Sequence, residues 1–324
     1  MMALQAQEKA TRTVIPPRRR SWSRYSTRTF YLFIAPWFVL GFIGLTAVPL
    51  LYAFLVSFTN FDGMSGHWRW LGLDNYAELI GDPDTWYSLG RTFLYTAISV
   101  PLSVGGGLGL ALLLNRRLRA VGLYRTIFYV PSVVPVVASA VMWKIMFDRD
   151  AGIINALIGL FGGPAITWLL DPTAFTVLVI MTLWGLGGGM VIFLAGLQGI
   201  PGELREAASV DGANAVQTFR AVVLPLLTPV VLFQIVTGVI AALQTLVQPL
   251  LLAESGGTAA VADVPRSNFL YMVNVYQQFF ANQRFGYGAA LLWVLFAVLL
   301  LITVLVLRSS TLWVYYEVDQ GKGG

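Results

Sequence analysis

Apolar runs alternate with short polar stretches along almost the whole chain. Six runs, at 30–58, 92–114, 126–147, 174–198, 226–252 and 286–307, reach the length of about 20 residues that a helix needs to cross a hydrocarbon core. Five of them contain no Asp, Glu, Lys or Arg. The third carries Lys144 near its end, where a long side chain snorkels to the interface. The pattern predicts an all-α integral membrane protein with six transmembrane helices.

Within the runs, breaks in the apolar pattern mark places to watch. Pro36 and Pro49 fall in the first run, Pro131 and Pro135 in the third, and both runs are expected to bend there. The second run holds Gly105, Gly106, Gly107 and Gly109, a packing face. In the fourth, Trp184 is followed by Gly185 and by Gly187, Gly188 and Gly189. Such a weak point is tolerated where it lines a cavity or is buried in protein. The fifth run carries Gln234, Thr237, Gln244, Thr245 and Gln248. Gln234, Thr237, Gln244 and Gln248 fall close to one helical stripe, and a stripe of amides and hydroxyls suits a wet pathway for a hydroxylated solute. Interhelical hydrogen bonding is the plainer role for the same groups. Between the runs, 59–88 is polar and aromatic with a short helix starting near Asp74 as its N-cap, and 254–285 reads as mostly irregular.

Composition agrees with a membrane assignment. The apolar fraction is 57%, charged residues are 11% and mean hydropathy is +0.71, values that a soluble 324-residue domain does not show. With no cysteine, disulfides, thiolate metal sites and cysteine nucleophiles are excluded. Net charge is +5, but its placement says more. With the N-terminus assigned to the cytoplasm, fifteen Lys and Arg fall on that side and six on the other. By the positive-inside rule both termini are cytoplasmic. Residues 1–28 form a basic tail and 309–324 a short polar one, around a membrane domain over 29–308. Arg18, Arg19 and Arg20 before an apolar run also suit a signal peptide, but the run is too long and no cleavage pattern ends it.

Candidate chemistry is sparse. His67 stands alone outside the runs, no carboxylates pair at membrane depth, and no phosphate-binding glycine loop is present. No catalytic and no metal-ligating residue is assigned, and nucleic-acid binding is a poor use of basic residues beside a span. The distinctive feature is a polar loop at about 200–225. Ile200 and Pro201 open a helix, with Pro201 at its first position, and Glu203 and Glu206 occupy its first turns. Asp211 and Gly212 break it. A second amphipathic stretch carries Val216, Phe219, Val222 and Val223, and Pro225 restarts the chain as the fifth span.

The run Glu206, Ala207, Ala208, then Gly212, then Leu224 and Pro225 resembles the Glu-Ala-Ala loop of binding-protein-dependent ABC importer permeases. Asp211, Ala213, Gln217 and Phe219 fit the sugar-uptake branch, the maltose- and glycerol-phosphate-type permeases. Leu71 to Tyr76, Tyr124 to Pro131 with Trp143 and Lys144, and Gly152 to Asn155 resemble the same branch, so the likeness covers roughly 30–308. It departs after the fifth span, where Gly256, Gly257 and Thr258 lead into a stretch, 259–266, without a counterpart.

The resemblance implies a type I ABC importer permease fold in the bacterial inner membrane. It implies a second permease subunit, two ATPase subunits that bind ATP and Mg while this chain binds no cofactor, and an extracytoplasmic solute-binding protein. The coupling loop to the ATPase is then Glu206, Ala207, Ala208, Asp211, Gly212, Ala213, Phe219, Leu224 and Pro225. The expected pathway residues are Trp184, Gly185, Gly188, Gln234, Thr237, Gln244 and Gln248. The expected cargo is a neutral mono- or oligosaccharide; glycerol 3-phosphate or another polar solute on the same machinery is the alternative, and a channel or secondary transporter the alternative of another class.

Overall fold

The computed structural model describes residues 24–66, 68–116, 119–253 and 262–315. Among these, the elements are helices apart from one antiparallel bridge between Thr59 and Trp70. Two units divide at Leu55 and Val56. The first is one long helical stretch: α1 (Arg24–Trp37), a π-helical turn series Phe38–Ala47, and α2 (Val48–Val56), which ends just past the division. None of its side chains from Thr29 to Leu55 is buried. A helix apolar on every face has lipid as its natural surrounding.

The π register has a local cause. The Val48 N–H bonds the Ile43 carbonyl, five residues back, and Pro49 follows. The same device recurs at Phe219–Val223, where the Leu224 N–H bonds the Phe219 carbonyl and Pro225 follows. Proline supplies no N–H and crowds the carbonyl four residues back, so a widened turn lets the helix run on through it. Pro225 therefore does not restart the chain, as expected from sequence. Helix continues from Ala215 to Leu243.

The second unit opens with α3 (Asp74–Gly81), in which Leu73 holds the cap position and Asp74 is already helical. Then comes α4 (Pro83–Leu114). Its start lies nine residues before the predicted run, because Asp82 caps it, accepting the Asp84 N–H at 3.0 Å, and Pro83 fits the first turn. The third run is not one straight span. It forms α5 (Val121–Val133) and α6 (Val136–Met146), bent by 97° at Val134 and Pro135. After α7 (Ile153–Leu160), the fourth run forms α8 (Ala174–Trp184) and α9 (Leu186–Gly199), joined at Gly185. The polar loop gives α10 (Gly202–Val210) and α11 (Ala215–Thr218). The fifth run gives α12 (Leu224–Leu243), then a break, then α13 (Val247–Leu252). The chain closes with α14 (Tyr271–Tyr276) and α15 (Phe285–Trp313), the latter running six residues past the predicted run. Among the described residues, five helices are long and apolar enough to cross a membrane, six if the bent pair is one span.

Packing centres on α4 against α9. A Cβ at Gly107 would lie 3.3 Å from the Gly189 backbone and one at Gly106 would meet Leu186, whereas Gly105 and Gly109 face open space. Only half of the predicted glycine face therefore packs. One core joins Ala111, Leu114, Met190, Phe193, Leu197 and Leu227; a second gathers Trp143, Phe147, Val177, Leu178 and Leu270.

The stretch after α13, expected to be irregular, is mostly regular where described: a 3-10 turn Arg266–Asn268, α14 and a π turn Gln277–Ala281. Gly256, Gly257 and Thr258 lie outside the described residues, as do His67 and most of both tails. Its first part is a strap. The Asp171 carboxylate accepts the Arg266 and Ser267 N–H groups at 2.8 and 2.9 Å. The Arg91 guanidinium, 4.3 Å above the Phe175 ring, donates to the Ser267 carbonyl. Arg266 pairs with Asp84 at 2.5 Å. The strap thus fastens the N-terminal ends of α4 and α8 to each other.

Candidate functional site: an uncharged cavity and the polar loop

A cavity of about 540 Å³ opens where α4, the α5–α6 bend, the α8–α9 joint and the end of α12 converge. Its position follows from the local sequence. Pro135 has no N–H for the ladder of α5, and Gly185 ends α8, so two helices open at the same depth and leave space between them. Gly187 then seats α9 against α5: a Cβ there would fall 1.9 Å from the Phe128 carbonyl oxygen. Trp184 stands at the wall, 41% exposed, edge-on to Trp143 at 6.0 Å, and Trp143 stacks on Phe147.

Of the expected pathway residues, Trp184, Gly185, Gln234, Thr237 and Gln248 line the cavity. Gly188 does not; it faces Ser132, and its neighbour Gly189 lines the wall instead, with the Gln234 Nε2 2.7 Å from where its Cβ would be. Gln244 does not either. Helix α12 ends at Leu243; Gln244, which follows it, is exposed, and its neighbour Thr245 faces the cavity. Sequence reasoning missed Tyr95, Ser99 and Ser103 on α4, and Ser132 and Ser139 at the bend. Thr92, Thr96, Ser99 and Ser103 recur at helical spacing in the second run, a signal that its glycines masked.

The hydroxyls have a common orientation. Thr182, Thr237 and Thr245 each donate to the carbonyl four residues back, and Ser132 to the one three back. Tyr95 lies 2.8 Å from Thr182 Oγ1; since the Thr182 proton is committed, the Tyr95 hydroxyl is the donor of that pair. What these groups show the cavity is lone pairs. Ser99 Oγ is buried without a partner, and with it the hydroxyls of Ser103 and Ser139, the Trp184 indole N–H and the amides of Gln234 and Gln248 are the donors the wall offers. Among the described residues, no Asp, Glu, Lys, Arg or His lines the cavity.

The polar loop is a helix, a tight turn and a second helix. Pro201 caps α10 rather than opening it, with Gly202 its first residue. Gly212 has φ +81°, the left-handed conformation that suits glycine, and the Ala213 N–H bonds the Ala208 carbonyl across it. Asn214 then caps α11 in a reciprocal box: its Oδ1 accepts the Val216 and Gln217 N–H groups, and Gln217 Oε1 accepts the Asn214 N–H at 2.8 Å. Glu206, Ala207, Asp211 and Gly212 are exposed, while Ala208, Ala213, Phe219, Leu224 and Pro225 are half-buried. Val210, 88% exposed, and Val216 put bare apolar side chains on either side of the turn.

Residues 103–320 match the model of the family described as binding-protein-dependent transport system inner membrane component. The chain belongs to that family. This permease is 38% identical to a probable ABC transporter permease protein, YesP, of Bacillus subtilis over 89% of its length and 92% of the relative's. It is 33% identical to the lactose transport system permease protein LacF of Rhizobium radiobacter, over 89% and 94%. Its fold is similar to the crystal structure of a bacterial ABC transporter involved in the import of the acidic polysaccharide alginate, with TM-score 0.71, 19% identity, and coverage of 89% and 95%. The permease is thus a multi-pass inner-membrane protein with an importer permease fold.

Proposed function

We propose that the permease forms, with a second permease subunit, the membrane pathway of an ATP-driven importer for a neutral mono- or oligosaccharide. A solute-binding protein delivers the sugar from outside. Two ATPase subunits, which hold ATP and Mg, dock on the loop at 200–225, and both termini lie with them in the cytoplasm. Exposed Glu206 and Asp211, the small Ala207 and the bare Val210 and Val216 give that loop an apolar patch with anionic contacts beside it, a surface fit for docking.

The uncharged, acceptor-rich cavity carries the reading. Its volume falls in the range of roughly 300–1,000 Å³ usual for small-molecule sites. A sugar's hydroxyls can donate to the Thr182, Thr237, Thr245 and Ser132 oxygens and accept from the serine and amide donors, and its apolar ring face suits Trp184, so few groups are desolvated unpaired. A phosphorylated solute finds no cation there. Arg91 and Lys144 donate instead to the carbonyls of Ser267 and Ala253. The lactose relative accords with a neutral cargo.

The test is uptake by the assembled transporter with its binding protein. Trp184→Ala and Gln248→Ala are expected to cut sugar uptake while the subunits still assemble, and neutral sugars are expected to pass where phosphorylated ones do not. Unchanged uptake in both variants would leave the cavity a packing defect.

A further inference from the structure

The carbonyl of Leu197, in the last turn of α9, has lost its helical partner. In an α-helix it would accept the N–H of residue 201, and residue 201 is a proline. The donor comes instead from α10: the Arg205 guanidinium reaches back across the Ile200–Pro201 corner and bonds that carbonyl at 2.8 Å. A cation also suits the negative end of a helix. Among the described residues this is the one side-chain hydrogen bond between α10 and a membrane-crossing helix. The Arg205 Nε is buried without a partner, on a side chain that is half-buried as a whole.

Behind α10 lies a hollow of about 370 Å³, lined by Leu112, Asn115, Leu197, Arg205, Ser209 and Phe219. A short helix standing over empty space tips when pushed unless something ties it. The inner end of α4 shows the same solution: the Arg125 guanidinium, from α5, bonds the carbonyl of its last residue, Leu114, at 2.9 Å, again with a buried unpartnered Nε.

We infer that Arg205 is the positioning residue that fixes the angle between α10 and α9, so that a push on the loop moves α9 instead of collapsing α10 into the hollow behind it. This rests on the coupling role proposed for residues 200–225. Arg205 touches neither solute nor ATP; it acts through the Leu197 carbonyl.

The chain has no cysteine, so a pair of nitroxide labels at Val191→Cys and Leu204→Cys, an exposed α10 position outside the docking patch, reports α9 against α10 alone. In the assembled transporter, the distance distribution is expected to be narrow with Arg205 present and broad in Arg205→Met. Sugar imported per ATP hydrolysed is expected to fall by about fivefold or more in the same variant, the scale of a lost coupling between sites. Arg205→Lys, which keeps a donor of similar reach, is expected to recover most of both. A Met variant with a native distribution, or with a native transport-to-hydrolysis ratio, overturns the inference. If the wild-type complex does not couple hydrolysis to uptake, the proposed function falls, and the distance measurement still decides whether Arg205 holds the angle.

Discussion

Gly187 and Gly188 are adjacent and chemically identical, yet the structure gives them opposite tolerances. A Cβ at Gly187 would collide with the Phe128 carbonyl, which is backbone and cannot swing aside, whereas one at Gly188 meets Ser132 Cβ at an ordinary 3.7 Å. Gly187→Ala is expected to destabilise by about 1–3 kcal/mol, the usual cost of overpacking, and Gly188→Ala to change little. Thermal unfolding of the two variants in detergent checks this, and equal midpoints would contradict the α5–α9 contact. The run of glycines was legible in sequence as a weak point beside a cavity. Which glycine touches backbone was not, because that depends on how far apart two non-adjacent helices lie. Gln244 and Thr245 carry the same lesson. Gln244 falls at the edge of the helical stripe and Thr245 nearer its middle, and choosing amides over hydroxyls picked the wrong neighbour.

Among elements, the strap 262–270 holds most through Asp171. Burial raises the Asp171 pKa, but hydrogen bonds from the Ser267 and Arg266 N–H groups, with the Arg91 charge, outweigh it and hold the carboxyl below its ordinary value of 3.8. A depressed folded pKa stabilises above the unfolded value and is lost as pH falls through the folded one. At neutral pH the strap therefore has its full support. Asp171→Asn removes the charged acceptor and is expected to cost about 1 kcal/mol, a charged hydrogen-bond contribution discounted for partial exposure. Faster proteolysis within 262–270 is the readout, and an unchanged cutting rate would deny Asp171 that role. Sequence showed this stretch as a loop with no recognisable counterpart, since its order comes from partners nearly a hundred residues away. By contrast the turn at Gly212 was legible, because Asp-Gly with small neighbours constrains itself locally. Pro225 misled: proline signals a break only where the helix cannot widen into a π turn.

At the scale of the molecule, apolar run length located every crossing segment, since the bilayer imposes one length on them all. It did not distinguish a straight crossing from the 97° bend at Pro135. The charge-free cavity has an energetic consequence for the whole machine. Moving one elementary charge through a membrane potential costs or gains about 2.3 kcal/mol per 100 mV. On the proposed function, a neutral solute in such a lumen would do no such electrical work, and the free energy of ATP hydrolysis would be spent against the concentration gradient alone. Uptake into vesicles supplied with ATP is then expected to proceed at the same rate whether the potential is held negative inside or clamped to zero with a potassium ionophore. A rate that followed the voltage would mean that charge moves with the solute.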